Sequence, residues 1–437
     1  MRAFTIVWFG QLVSLTGTGM TQFAIALWAW EITGQATALA LVGFFAFAPT
    51  ILFSPIAGAL VDRWDRRLVM MLSDLAAGAS TIILLLLFLS DNLQIWHLYI
   101  AGAFTGVFQA FQFPAYSAAI STMIPKEQYG RADAMMGLAE AASGIFAPIL
   151  AGAAYAVIRL GGIMTIDIIT FLVAIGTLLL VHIPQPQISE TGKAARGSLL
   201  QESIFGFRYI LARPSLLGLQ LVFFCGNFLS SIAFVLLTPM LLARTGNNEL
   251  AVGGIQSAFG IGGVVGGLAL SAWGGPRRRV HGVLLGWTFL GIGTVLFGLG
   301  QALPVWFVVA FFTTLFNPLV NASNQAIWQA KISPDIQGRV FSTRAMIAQV
   351  TGPLGMLIAG PLADNVFGPA MMPEGVLAGR LGWLVGVGPG SGMALIFIIC
   401  GLLTVLVGLY PYTVRVIRDA ETILPDHDAA PSASTAE

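Results

Sequence analysis

Apolar and polar positions alternate on a coarse scale along this chain, in long hydrophobic runs cut by short charged turns. A bilayer crossing needs about 20 apolar residues. The runs 4–30, 38–61, 68–90, 95–121, 132–158 and 162–182 meet that length, and so do 215–242, 252–273, 280–300, 304–327, 340–362 and 392–412. The polar stretch 183–213, with Pro184, Pro186, Gly192 and Gly197, separates six runs from six. Its second part, from Leu199 to Leu211, alternates apolar and polar residues at helical spacing. That pattern predicts an amphipathic helix, either lying on a membrane surface or acting as a plain linker. The expected fold is an all-α membrane protein of twelve transmembrane helices in two pseudo-symmetric six-helix bundles, 1–183 and 214–418. A linker, 184–213, joins them, and the segment 419–437, rich at its end in Asp, Ala, Ser and Pro, is expected to be a disordered tail.

The halves repeat each other. A charge-dense hinge, Gly58-Ala-Leu-Val-Asp62-Arg63-Trp64-Asp65-Arg66-Arg67, lies between the second and third runs. It returns around Gly267, Trp273 and Arg277-Arg278-Arg279, with Gly58 to Gly267 and Trp64 to Trp273 both spanning 209 positions. Gly130-Arg131, Gly144 and Gly152 recur as Gly338-Arg339, Gly352 and Gly360, each 208 positions on. One offset shared by residues in the same order marks a duplicated membrane unit.

Composition agrees. The 437 residues are 57% hydrophobic and 9% charged, against about 25% charged in soluble proteins, and the mean hydropathy is +0.84. The net charge of +1 gives no reason to expect a nucleic-acid partner. Cys225 and Cys400 both sit in apolar runs and read as packing residues rather than a disulfide. The N-terminal run carries Gln11 and Gln22 with no small-residue cleavage site, so it reads as a retained span. Seventeen of the 21 lysines and arginines fall on the side where even-numbered spans end; Arg159, Arg244 and Arg380 fall on the other, and Arg344 within a span. The positive-inside rule then puts both termini in the cytoplasm.

Gly58-x-Leu60-x-Asp62-Arg63-x-x-Arg66-Arg67 resembles the signature between spans 2 and 3 of the major facilitator superfamily. The wider pattern, from about Phe4 to Arg418, is similar to its drug and macrolide efflux branch, which includes enterobactin-exporter-like proteins. The resemblance implies a plasma-membrane secondary transporter working by alternating access. It also implies that Asp62 docks on the cytoplasmic start of the eleventh span and steadies the outward-open state. Arg344 lies about a turn and a half inside that span, so a latch of Gly58, Asp62, Arg63, Arg66 and Arg67 with Arg344 is expected, the alternative being that Arg344 snorkels to headgroups. The family lines its cavity with spans 1, 4, 7 and 10. Here these carry Gln11, Thr18, Gln22 and Phe23; Phe104, Phe108, Gln109 and Gln112; Asn227 and Ser230; and Asn317, Asn321, Asn324 and Gln325. Amides and aromatics without a charge pair suit a bulky, amphipathic, uncharged or weakly cationic molecule, although the same residues also serve as interhelical glue.

Glu140 falls nine residues beyond Arg131, about 13 Å into the fifth span at ~1.5 Å per residue. An acid at that depth must face a wet cavity, be protonated or find a partner, which makes it a candidate proton carrier, a static hydrogen-bonded acid being the alternative. Asp167 is a second candidate, with pairing to Arg159 or to polar backbone as its alternative, and Asp74 is expected to be structural. Gly144-Ile-Phe-Ala147-Pro148-Ile-Leu-Ala151-Gly152 resembles the family's antiporter signature with two glycines replaced by alanine. The run Gly262-Gly263-Val-Val-Gly266-Gly267 is the expected packing surface for it. The fourth span lacks the arginine common in proton antiporters of this superfamily. Thr191-Gly192-Lys193 is no phosphate loop, because Gln187 and Ala194 occupy two required positions. His97, His182, His281 and His427 form no ligand pattern, and neither an enzyme nor a bound metal or cofactor is expected. The expected activity is proton-motive-force-driven efflux by a monomer in contact with membrane lipids. Solute uptake, lysophospholipid transport, or a non-transporting sensor on the same fold remain alternatives. The long Gly- and Pro-rich loop 365–391 receives no role.

Overall fold

The computed structural model describes residues 2–61, 64–125, 128–181 and 199–426. The first half holds α1 (Arg2–Thr33), α2 (Ala36–Val61), α3 (Arg66–Leu89) and α4 (Ile95–Met123). A continuous helical stretch, Tyr129–Leu180, follows and breaks at Arg159 (φ 52°, ψ −170°) into α5 (129–158) and α6 (160–180). After the linker helix α7 (Leu199–Leu211), the second half holds α8 (Pro214–Thr245), α9 (Glu249–Trp273) and α10 (Arg279–Leu299). Its tenth span is α11 (Leu303–Leu315) plus α12 (Asn317–Lys331), broken at Phe316 just before Pro318. The eleventh is α13 (Pro334–Gln349) plus α14 (Thr351–Pro361), broken at Val350 ahead of Gly352-Pro353, and the twelfth is α17 (Ser391–Leu409). Among the described residues these segments make twelve crossings in two sets of six, as the hydrophobic pattern requires.

Local chemistry sets the helix ends. The Asp65 carboxylate accepts from Leu68 N at 3.1 Å to open α3, and Asn248 Oδ1 accepts from Ala251 N at 2.9 Å to open α9. Gly246, at φ +65°, closes α8 in the left-handed conformation that a Cβ disfavours.

The core shows how the halves sit together. Both ends of the described chain lie at one end of the bundle, together with the arginine-rich turns. At the opposite end, a single hydrophobic core draws on both halves, including Leu27, Leu39 and Ala151 from the first and Leu236, Val252 and Ala359 from the second. At the arginine-rich end the core divides. Val7, Val69 and Leu178 cluster within the first half, whereas Leu219, Val283 and Ile327 cluster within the second. The molecule is closed at one end and parted at the other.

Two expectations change here. The run around Gly262 does not meet α5: Gly262 abuts Phe311 and Gly266 abuts Leu315, both on α11. The α5-facing side of α9 is Gly253, Ser257 and Gly260. Nine residues separate Gly253 from Gly262, which at ~3.6 per turn is half a revolution. The segment after residue 418 begins as packed structure: Ala420–Ile423 forms a helical turn, Ala420 is buried, and Glu421 Oε2 accepts from Val280 N at 2.9 Å. Lys331 Nζ donates to Glu421 O at 2.6 Å and pairs with Asp426 at 2.7 Å, so this basic residue fastens the start of the expected tail. The loop 365–391 carries a π-helical turn (Leu362–Phe367), a short helical turn, α15 (Gly368–Ala370), and the helix α16 (Ala378–Val385). Arg244, at the end of α8, donates to the carbonyls of Val385 and Gly300 (2.9 Å to Gly300) and so ties that loop to the bundle.

Candidate functional site

Two seams close the end opposite the arginines. In one, α5 lies against α9. Gly152 and Gly253 allow the backbones to meet, and a Cβ on Gly152 would stand 2.6 Å from Glu249 O. Ser257 Oγ donates to Ile145 O across the same seam. Gly152 and Pro148 of the antiporter-like motif therefore serve the contact between halves, while Ala147 and Ala151 are buried in the shared core. Around Gly144 there is open space. In the other seam, α2 lies antiparallel to α14, with Thr37 beside Gly360, Gly43 beside Met356 and Phe47 beside Gly352.

An unexpected carboxylate pins this second seam. Asp364 accepts from Ala36 N at 3.1 Å through Oδ1 and from Thr37 N at 2.7 Å through Oδ2, so an acid of the second half caps the first turn of α2 in the first. The positive pole of a helix N-terminus favours such a charge. Trp30 Nε1 adds a bond to Asn247 Oδ1 at 3.1 Å across the halves. A sequence signal existed: Thr33-Gly34-Gln35 ahead of α2 offers a poor cap, which leaves orphan amides for another element to satisfy.

A cavity of ≈ 450 Å³ lies where the shared core meets the second half's own core. Its walls come mostly from the second half: Asn227, Ser230, Ser231 and Phe234 on α8, Trp287 and Thr294 on α10, Thr313, Thr314 and Asn317 on the tenth span, and Gln349 on the eleventh. Phe47 reaches in from α2. The lining mixes amide, hydroxyl, aromatic and aliphatic side chains, with no ionisable residue among those described. Trp287 Nε1 is buried without a hydrogen-bond partner in the described structure.

The sequence-chosen cavity residues divide. Asn227 and Asn317 line this cavity, and Asn321 Nδ2 donates to Asn317 Oδ1 at 2.8 Å. Gln325 instead accepts from Arg344 Nη1 at 2.9 Å. Phe23 is buried in the shared core, while Gln22, Phe104 and Gln109 are exposed. Gln11 and Gln112 turn to Asp74: Gln11 Nε2 donates to Oδ2 at 3.1 Å and Gln112 Nε2 to Oδ1 at 3.0 Å. Asp74 thus ties α1, α3 and α4 together.

Asp167 is 5% exposed and accepts hydroxyl bonds from Thr18 at 3.1 Å and Thr81 at 3.0 Å. Its expected partner Arg159 pairs instead with Glu31 at 3.0 Å, because the kink at Arg159 places it at the bundle's end. Glu140 is exposed on α5, and none of the ion pairs among the described residues includes it. Of the latch, Asp62 and Arg63 lie outside the described residues, and the backbone of Gly58 falls within α2. Arg66 opens α3, Arg67 Nη2 donates to Leu179 O at 3.0 Å, and Arg344 sits over the rings of Trp328 and Phe341 at 5.3 and 5.8 Å.

A family model described as Major Facilitator Superfamily matches residues 7–356. Macrolide efflux protein A of Streptococcus pyogenes is 26% identical over 365 residues, covering 83% of this chain and 90% of that protein. The enterobactin exporter EntS of Shigella boydii is 25% identical over 417 residues, covering 93% and 92%. Among solved structures, an inward-facing, unoccupied bacterial homolog of the human lysosomal transporter Spinster superposes with a TM-score of 0.71 at 15% identity, covering 98% of this chain and 99% of that one.

Proposed function

Because the chain belongs to the Major Facilitator Superfamily, a family of multi-pass membrane transporters, we propose that it exports amphipathic, uncharged or weakly cationic small molecules by alternating access, in exchange for protons. The arginine-rich end is then cytoplasmic, in keeping with the positive-inside rule, and the geometry described is the inward-facing state. The observation that carries this reading is the core, continuous between the halves at one end and split at the other. That arrangement is one of two that a pair of rigid bundles can exchange by rocking about a central site. The uncharged cavity of amides, hydroxyls and aromatics supports an amphipathic substrate, and the relatives named for macrolide and enterobactin export support the outward direction. No bound cofactor enters the cycle; the proton gradient drives it. Asp167, buried and held by two hydroxyls, is the better placed of the two sequence-chosen proton carriers.

The test is substrate-linked proton release in energised inverted vesicles, across macrolide-like, dye and siderophore-like compounds, with wild type beside Asp167→Asn and Glu140→Gln. A wild-type response lost in Asp167→Asn at unchanged protein level supports the reading. Inward movement of solute or lipid by the reconstituted protein, with no response to any compound, overturns it.

A further inference from the structure

Asp74 lies in α3 eight residues beyond Arg66, about 12 Å into the membrane by helical rise. It is 8% exposed, and no ion pair among the described residues compensates its charge. Leaving water costs a carboxylate several kcal/mol, and two neutral amides offset only part of that. If tying α1, α3 and α4 together were the sole requirement, an asparagine would serve at lower cost. The surroundings also accommodate the protonated acid. Gln112 Oε1 is buried and has no partner in the described structure, so it is an acceptor waiting for a donor hydrogen. A Gln112 amide turned about its last torsion would present that oxygen to an Asp74 hydroxyl, at the loss of the bond that Gln112 Nε2 donates to Gln11 Oε1 at 3.2 Å, and the carboxyl's other oxygen would still accept from Gln11. Each protonation state of Asp74 can therefore keep two hydrogen bonds in place, one from Gln11 and one to or from Gln112. A purely structural carboxylate has no need of this.

The neighbourhood contains few competing charges. On α1 the facing group is Gln11, and α1 carries charge only toward its ends, at Arg2 and Glu31. On α4 the facing group is Gln112, with the buried, unpartnered hydroxyl of Tyr116 one turn on and His97 at the far end. Along α3, Arg67 is two turns away and occupied by Leu179 O. From α6 the nearest charge is Asp167, reached through Thr81. Gln11 and Thr18 on α1, and Asp74 and Thr81 on α3, are each seven residues apart and so share one face of each helix. The two acids stand in a single column inside the first half. The cavity lies mostly in the second.

We propose that Asp74, held by Gln11 and read by Gln112, is a proton-loading site on the seam between α1, α3 and α4. It takes one proton from the open, arginine-rich end onto a carboxylate oxygen, hands the hydrogen bond to Gln112 Oε1, and returns that proton in the opposite state. Protons and substrate then occupy different halves, coupled through movement of α1 and α4. This inference rests on the proton-exchange reading above.

The experiment is infrared difference spectroscopy of the full chain in lipid, labelled with carbon-13 aspartate, from mildly acidic to mildly alkaline pH, with proton release measured on the same preparations. The expected result is a carboxyl band that titrates in wild type, persists in Asp167→Asn, disappears in Asp74→Asn and shifts in Gln112→Leu, where the acceptor is gone. Substrate-linked proton release is lost in Asp74→Asn. If Asp74→Asn fails to fold, the wild-type band and its shift in Gln112→Leu carry the test. A titrating band that depends on Asp74, with no proton release in wild type, overturns the exchange reading and with it the return of the proton in the opposite state, while the loading of Asp74 stands. Proton release with no band that depends on Asp74 or Gln112 overturns the loading site alone.

Discussion

Asp364 offers the most direct test of how the closed end is held. Its carboxylate takes two first-turn amides of α2, at 3.1 and 2.7 Å, from the other half of the molecule. Removing a helix cap costs about 0.5–2 kcal/mol, and a charge at a helix N-terminus adds up to about 2 kcal/mol in partly buried geometry. Asp364 is partly exposed, so solvent screens the charge and water replaces some of the lost bonding in Asp364→Ala. The net loss is about 1–2 kcal/mol, and all of it falls on the state in which this end is closed. The ratio of open to closed at this end then rises roughly five- to thirty-fold. Double electron–electron resonance between spin labels at Val157 and Trp383, both about 80% exposed and on different halves, reads that ratio. Cys225 and Cys400 would be replaced to give a single labelled pair. Asp364→Asn, which keeps one acceptor and loses the charge, is expected to fall between wild type and Asp364→Ala. Distance distributions identical in all three would refute the claim that this carboxylate holds the seam.

The remaining predictions concern other contacts. Gly253→Leu, at the close approach of α9 to Pro148, forces the α5–α9 seam apart, so transport should be lost while membrane insertion persists; normal transport would show that the seam tolerates separation. Arg244→Ala removes the donor to the Val385 and Gly300 carbonyls and should destabilise the chain by about 2–4 kcal/mol, seen as a lower unfolding temperature and faster protease cleavage within 368–390. Asn227→Leu replaces an amide of the cavity wall with an isosteric apolar group, and should weaken substrate binding about tenfold while leaving the protein's stability within about 1 kcal/mol; unchanged binding would place the substrate elsewhere.

The sequence by itself determined the twelve crossings, the division into two halves and the end at which positive charge collects. These follow from local quantities: the length of apolar runs, the cost of charge in hydrocarbon and a repeat at constant spacing. It also identified the small-residue stripe of α5 around Gly152, because close helix packing needs residues without bulk. Tertiary structure decided which polar residues share a site. Gln11 and Gln112 are 101 positions apart and read as cavity lining, yet they converge on Asp74, since only packing of α1, α3 and α4 brings those faces together. Asp364 and Ala36 are separated by 328 positions, and nothing in the loop 365–391 or its flanks announces that an acid there caps a helix of the other half. Arg159 and Asp167 are neighbours in sequence, but one kink sends the arginine to Glu31 and leaves the acid to two threonines. Hydrophobic length is a property of each segment alone. Pairing between segments depends on the rotation of each helix about its axis, which the summed packing of all its neighbours fixes.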